Sequence, residues 1–384
     1  MLKIDDAHLP GLADLTQDRL RAITGADDVD VLRLRYRAGN RAILHIATQT
    51  GTARNEGTLW FFKGDKGKRL ARRNKKTARF DANAQALFEP FPNDHRMPQI
   101  RTFLDRFEMV VPRLTGYRAD GAPQLLRYRP GLSCTFRCPL QGKPAAFVKL
   151  INDDDPLRLC ASNRTMQSAL ACSDVSVAKA LGLDCQISAI AYDTAPGLPL
   201  DEILALASDL SAFTLAMTAL RSFWQAPILP ERQMGPNMLL QRAGESADFV
   251  AVTAPDCAGA VADIVAELKV APPKSDLQPI HGDMKLEHLF LDGKKVTLID
   301  TESVSMGLPD YDLAQLYGRL WQAEFEGQLS REKVAVACAM VRAEAGPDFD
   351  WCLGVVTVRL AKYYAQRPAP GMSQAINSIL ERLR

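Results

Sequence analysis

Short apolar bursts with strand-like spacing fill the first half of the chain, and three- and four-residue helical spacing fills most of the second. Ala42-Ile43-Leu44-His45-Ile46 is followed, past a glycine-containing turn, by Leu59-Trp60-Phe61-Phe62 and then Lys63. Cys134-Thr135-Phe136-Arg137-Cys138 is followed by a Gln141-Gly142-Lys143-Pro144 turn and by Ala146-Phe147-Val148-Lys149-Leu150. Both stretches predict strand, turn, strand and a lysine. Each is introduced by the same tag, Arg35-Tyr36-Arg37-Ala38-Gly39 in one and Arg127-Tyr128-Arg129-Pro130-Gly131 in the other. This internal repeat predicts two related small antiparallel sheets, over roughly 28 to 66 and 122 to 151. Residues 88–104 between them mix turn formers with a short helical pattern and read as a connector.

Residues 200–224 carry apolar positions at helical spacing over several turns and start a helical region. Residues 288–300 interrupt it with two apolar runs joined through Asp292-Gly293, a favoured tight-turn pair, which predicts a hairpin. Helical spacing resumes at Asp310 and continues to the C-terminus, with breaks at 345–348 and 367–371. The pattern predicts an α+β chain in three parts. Residues 1–120 form an N-terminal segment that repeats the small sheet, 121–197 a small antiparallel β lobe, and 198–384 a larger helical lobe.

A chain of 384 residues with 47% hydrophobic content buries a full core. Its 47 Lys and Arg nearly balance 45 Asp and Glu, so the overall field gives no reason to propose a nucleic-acid or membrane partner. The first residues lack the basic start and apolar run of a leader, and no later stretch approaches a membrane span, so a soluble, cytoplasmic protein is expected. The 8 cysteines form no CxxC pair, which predicts reduced and mostly buried thiols. Residues 63–79 hold nine basic residues against one Asp. The run reads as a solvated loop, as a clamp for an anionic substrate, or as a patch for another anionic partner; without an aromatic residue it has no means of stacking on bases.

The chemistry concentrates in residues 279–320. His281-Gly282-Asp283 opens a loop before one strand of the hairpin and Asp300 closes the other, so the turn folds two carboxylates towards a common end. Phosphoryl transfer needs such a pair, one to orient or deprotonate the attacking hydroxyl and one to hold Mg²⁺ against the phosphates of ATP. Each aspartate alone reads better as a turn or cap residue.

His281-Gly282-Asp283, a residue five positions on at the following strand, Ile299-Asp300-Thr301-Glu302, and Gly307-Leu308-Pro309-Asp310-Tyr311-Asp312-Leu313-Ala314 together resemble the aminoglycoside phosphotransferase and choline-kinase type families. The resemblance implies a two-lobed, protein kinase-like fold and transfer of the γ-phosphate of ATP to a small-molecule hydroxyl. It makes Asp283 the catalytic residue and Asp300 a metal ligand. Glu302 stands where the family often has an acidic residue, and Asp312 is expected to cap a helix and to be structural. Where the family has an asparagine as second metal ligand this chain has His288, a poor donor for Mg²⁺. His288 therefore binds through water, leaves one metal, favours Mn²⁺, marks lost catalysis, or simply fills a strand start.

The same resemblance places Lys149 against the ATP phosphates, with the turn Gly131-Leu132-Ser133 over them. It makes the strand and step around Ala191 and Asp193 the hinge that faces adenine. The expected glutamate partner of Lys149 is missing, since residues 150–183 contain no Glu, and Gln167 is the candidate replacement. Asp153, Asp154 and Asp155 read as a solvated loop. Two further readings are a pseudokinase that binds nucleotide or acts as a scaffold, and a hydrolase built on His281 and Asp283. The hydrolase lacks a serine or cysteine in a nucleophile elbow.

Overall fold

The computed structural model describes residues 3–152 and 155–383, so Asp153 and Asp154 of the expected loop lie outside the described residues. The chain begins with a short helix, α1 (Gln17–Thr24), that leads into the meander β1 (Asp28–Arg37), β2 (Arg41–Thr50) and β3 (Ala53–Phe62). Helix α2 (Lys66–Arg73) crosses to β4 (Arg79–Asp81) and β5 (Ala86–Pro90), which completes a five-stranded sheet of order β1-β2-β3-β5-β4. The second half of the expected connector is a full helix, α3 (Gln99–Thr115). After it come β6 (Gln124–Arg129), β7 (Ser133–Leu140), β8 (Lys143–Ile151), helix α4 (Pro156–Ala169), and the strands β9 (Val175–Val177), β10 (Ala180–Asp184) and β11 (Ala189–Tyr192). The second sheet has the order β10-β11-β8-β7-β6, the same path traced again.

The likeness reaches individual side chains. Asp6 accepts the Tyr36 hydroxyl (2.7 Å) and the Gly39 amide (2.8 Å) on one oxygen and the His8 amide (2.9 Å) on the other. Asp94 likewise accepts the Tyr128 hydroxyl (2.8 Å) and the Gly131 amide (2.6 Å) on one oxygen and the Arg96 amide (2.8 Å) on the other. Both turn glycines have positive φ, at 64° and 65°. Gln85 and Ser188, each just before a strand, are also in the left-handed region. The helices before the two sheets both end in Thr-Gly, with Thr24 and Thr115 each donating to the carbonyl four residues back and accepting the amide two residues on. Truncating Asp94 leaves the buried Gly131 amide without an acceptor and takes the shorter of two partners from the buried Tyr128 hydroxyl, whose other neighbour is the Thr58 hydroxyl at 3.1 Å. Asp94→Ala is expected to lower stability by about 2 kcal/mol in urea denaturation, with Asp94→Asn recovering part of it.

The strand registers correct one detail of the repeat. Arg37 pairs with Arg41 and Arg129 with Ser133, so Ile43 of β2 corresponds to Thr135 of β7. Thr135 faces Lys149, whereas Ile43 faces Trp60. Lys63, expected to match Lys149, lies beyond the end of β3, and the first sheet carries a fully buried tryptophan at the lysine position. Trp60 is packed between Phe62, His95 and Gly131, where it joins the first sheet to the turn of the second. Helix α3 packs Ile100, Phe103, Val111 and Leu114 onto the second sheet against Phe136 and Val148. It belongs to that layer and is not a free connector.

The short strand β12 (Leu198–Pro199) opens the helical half, with α5 (Leu200–Leu206) and α6 (Ser211–Trp224) after it. Next come β13 (Gln233–Met234), α7 (Pro236–Thr253) and α8 (Ala258–Val270). The expected hairpin lies among β14 (Gln278–Ile280), β15 (Leu289–Asp292), β16 (Lys295–Leu298) and β17 (Ser305–Gly307). β15 and β16 pair as Asp292↔Lys295, and Gly293 takes positive φ at the turn. Helices α9 (Pro309–Phe325), α10 (Arg331–Glu344), α11 (Phe349–Ala365) and α12 (Met372–Glu381) close the chain. Helix α11 is buried along almost its whole length, as its near-continuous apolar sequence requires. Six of the eight cysteines are buried; Cys172 and Cys185 are exposed. Among the described residues no helix is long and apolar enough to cross a membrane.

Candidate active site

The loop after β14 is held from below by α9. Asp312 is fully buried, accepts the His281 amide (2.7 Å) and the Trp224 indole N–H (3.1 Å) on Oδ2, and accepts the Gly282 amide (2.8 Å) on Oδ1. One turn further along α9, Gln315 accepts the Met284 amide at 2.9 Å. Asp312 thus does not cap its helix, whose N-cap is Leu308; it clamps the loop that carries Asp283. Gly282 is required at φ 77°, because a Cβ there would stand 2.6 Å from the Ser303 carbonyl oxygen. The buried His281 ring bonds the Ile299 carbonyl (2.9 Å), which ties this loop to the segment bearing Asp300.

Asp283 projects from the clamped loop into a cluster of positive groups. Lys285 Nζ is 3.1 Å from its Oδ2. Burial favours the neutral acid, but the Lys285 ammonium and the Arg359 guanidinium outweigh it and hold the Asp283 carboxyl at about 2. His288 is buried, and burial together with the neighbouring Lys285 charge pushes its imidazole well below the usual histidine range. It is therefore neutral at neutral pH.

Asp300 follows β16 in the left-handed region, φ 57°, an uncommon position for a non-glycine residue and one that turns its carboxylate into the cleft. Lys149 Nζ, from β8, reaches Asp300 Oδ1 at 2.6 Å and Glu302 Oε1 at 2.9 Å. The sought partner of Lys149 is therefore Glu302, with Asp300 beside it. Gln167 does not replace it, since its amide is spent on Asn163 within α4. Burial opposes the charge on Asp300, but the Lys149 ammonium holds its carboxyl well below the ordinary range. Glu302 goes the other way, raised by burial and by the Asp300 charge against the pull of Lys149. Of the two acids, Asp300 gives up its proton first.

Two cavities meet at this cluster. The first, of about 360 Å³, is lined by Lys149, Asp300 and Glu302, by His288, and by the apolar faces of Phe147, Phe290 and Ala195. Ser133 and Asp193 also line it. Gly131 and Ala191 are not among its lining residues. Gly131 is turned away towards Trp60 and its amide is held by Asp94; Ala191 is buried inside the sheet, paired with Gly182 on one side and Val148 on the other. Backbone committed to both neighbouring strands has no spare groups for a ligand. The second cavity, of about 430 Å³, is lined by Asp283 and Lys285 and by α7, α9 and α11. Arg127 and Arg129 line both.

Residues that the sequence reading passed over are Lys285, Arg129, Arg359, Tyr192 and Thr194. Arg359 had a detectable signal, since it is the one charge within the apolar run Leu353–Ala361 of α11. Arg127 and Arg129 had another, because the Arg-Tyr-Arg tag sends its tyrosine to the core and so turns both arginines to the cleft side of β6.

For a divalent cation the cleft offers Asp300 Oδ2, which Lys149 leaves untouched, with His288 Nε2 3.6 Å away. His288 Nδ1 is buried and makes no hydrogen bond among the described residues. One carboxylate and one neutral imidazole form a mixed oxygen and nitrogen donor set, which suits Mn²⁺ better than Mg²⁺. The trio Glu89, Asp94 and His95 also lies close together, but away from the cleft. Its atoms are engaged by Tyr128, Gly131 and each other.

Solved structures of phosphotransferases share the fold. The thermostable mutant of aminoglycoside phosphotransferase APH(4)-Ia in its apo form is similar in structure, at TM-score 0.53 and 13% identity over 72% of this chain and 97% of that one. Its ternary complex with AMP-PNP and hygromycin B gives TM-score 0.52 and 14% identity over the same shares of 72% and 97%. A choline/ethanolamine kinase family protein from Mesorhizobium loti aligns at TM-score 0.48 and 13% identity over 75% of this chain and 93% of that one. No curated protein matches the chain in sequence. The fold is the protein kinase-like one of these phosphotransferases, with a further α+β segment in front. The model described as "Phosphotransferase enzyme family" matches residues 140–349, more than half of the sequence, and the chain belongs to that family.

Proposed function

We propose that this protein is an ATP-dependent phosphotransferase that moves the γ-phosphoryl group to a hydroxyl of a small molecule. The observation that carries the reading is the junction of two cavities, one walled by Lys149, Asp300 and apolar side chains, the other reached by Asp283. In this reading Lys149 holds nucleotide phosphates, while Ser133 and the stretch Asp193–Ala195 border the base and sugar. Asp300, with His288 beside it, holds Mg²⁺ or Mn²⁺, an ion that would neutralise phosphate charge as the group transfers. Asp283 orients the acceptor hydroxyl. At a carboxyl held near 2 it is a weak base, so its contribution is alignment and late acceptance of the proton. Residues 121–197 serve as the nucleotide lobe and 198–384 as the catalytic lobe. Residues 1–120 act as a scaffold that has Trp60 in place of the phosphate lysine.

The second reading is a nucleotide-binding scaffold without turnover. It rests on His288 alone, because Lys149 has its carboxylate partner in Glu302. The basic run around α2 lies outside both cavities, so an anionic partner for it would be a separate matter. Calorimetric titration with ATP in the presence and absence of Mg²⁺ or Mn²⁺ tests the proposal. Metal-dependent binding is expected, stronger with Mn²⁺, and weakened at least about tenfold in Asp300→Ala. Absence of ATP binding under every condition would discard the phosphotransferase reading.

A further inference from the structure

The cavity on the Asp283 side has an unusual charge. Nine basic side chains line it against two carboxylates, Asp283 and Glu245, in a chain whose 47 basic and 45 acidic residues otherwise nearly cancel. The bases arrive from separate elements: Arg33 from β1, Arg242 from α7, Arg319 from α9, Arg359 from α11 and Arg129 from β6. Exposed arginines elsewhere find carboxylates, as Arg221 does with Glu344 and Arg382 with Glu324.

These five form no ion pair among the described residues, and four of them are held by neutral groups. Arg33 donates to Gln366 Oε1 (3.1 and 2.8 Å), Arg319 to Gln322 Oε1 (2.5 Å), Arg359 to the Tyr311 hydroxyl, and Arg242 to the Met234 sulfur (3.6 Å). Neutral acceptors fix a guanidinium in place without cancelling its charge. Burial and mutual repulsion act accordingly, pulling Arg33 down to about 10 and lowering Arg129 and Arg359 as well. Half-buried like charges without counter-ions oppose folding, and a concave site walled by one sign concentrates ligands of the other. Planar, fixed guanidinium groups suit phosphate oxygens in particular.

We infer that the acceptor substrate is itself an anion, a hydroxyl compound that already bears a phosphate group, seated by Arg33, Arg242, Arg319 and Arg359 so that its free hydroxyl meets Asp283. The inference rests on the phosphotransferase reading for its hydroxyl end, but its anion-binding end is independent of ATP. Arg127 and Arg129, which also line the nucleotide cavity, would hold the transferring phosphate between the two anions. Transfer would break the γ-phosphate to bridging-oxygen bond of ATP and form a bond from phosphorus to the acceptor oxygen. ADP leaves, and the hydroxyl proton passes to Asp283 and then to water. A polycationic acceptor would meet repulsion in the same cavity.

The test compares binding of glucose 6-phosphate and ribose 5-phosphate with binding of glucose, ribose and kanamycin, by calorimetry on the whole chain without nucleotide. At least one phosphate ester is expected to bind a hundredfold or more tighter than its parent sugar, and to lose at least tenfold in Arg242→Gln/Arg319→Gln. The single Arg242→Gln variant and a circular dichroism spectrum guard against a misfolded double variant. Phosphate esters that bind no better than their parents, or as well in the variants as in the native chain, overturn the inference, as does tighter binding of kanamycin. A parallel ATP titration separates the two proposals: failure there removes the phosphotransferase reading while the anion comparison still gives its answer.

Discussion

Asp283→Asn is expected to lower kcat by about 10² to 10⁴-fold while the affinity for ATP stays within roughly twofold. The asymmetry follows from where the side chain stands. Asp283 lines only the arginine-walled cavity, whereas Lys149, Asp300 and Glu302 line only the other. Asparagine keeps the shape and one acceptor oxygen, so the loop and its clamp persist. It removes the negative charge that Lys285 faces at 3.1 Å and that steadies the Arg359 guanidinium. An anionic acceptor should then bind the variant as well as or better than the native protein, since one of the two carboxylates that line the cavity is gone. Steady-state kinetics joined to nucleotide titration reads the split. Retained turnover in Asp283→Asn would take the catalytic role away from this residue.

How much of this was legible in the sequence depends on the distance over which each feature is determined. The hairpin is local: two apolar runs and Asp292-Gly293 set the turn, and the turn pairs Leu289 with Leu298, two residues before Asp300. Lys149 was legible for the same reason, as one residue of a short strand beside a recognisable turn. Its partner was not. The resemblance directed the search to the next helix, but the carboxylate comes from Glu302, beyond the hairpin, and only the folded chain brings the two within 2.9 Å.

The repeat shows a second limit. Its tags, glycines and strand order reappear in the structure, yet aligning the two copies on their lysines misplaced the register. β2 has ten residues and β7 eight, with a bulge between Cys138 and Leu140, so a count along the chain slips where hydrogen-bond pairing does not. Pairing places Trp60, not Lys63, opposite the counterpart of Thr135. The arginine-walled cavity was hidden for a related reason. The arginines come from β1, β6, α7, α9 and α11, far apart along the chain; only the convergence of these five elements on one hollow makes the charge visible. The dense basic run at 63–79, which did stand out, lies elsewhere.

Asp312→Ala is expected to destabilise the protein by about 4 kcal/mol and to take most activity with it, even under conditions where the chain stays folded. The carboxylate satisfies three donors at once, two loop amides and the Trp224 indole, with no solvent at hand to replace it. Each orphaned buried donor costs about 1–3 kcal/mol, and the losses concentrate in one loop. Gln315 would still hold the Met284 amide, so the loop should loosen at His281 and Gly282 and swing Asp283 with it. Asp312→Asn is the discriminating companion. It keeps one acceptor oxygen but turns an amide N–H towards a donor, so intermediate stability and intermediate kcat are expected, with ATP affinity unchanged in both variants. A purely structural clamp elsewhere in the helical half would lower stability without lowering kcat in the folded fraction. Loss of kcat measured well below the melting temperature would therefore mark Asp312 as the residue that positions Asp283, and full activity in the folded fraction would reduce it to a packing role.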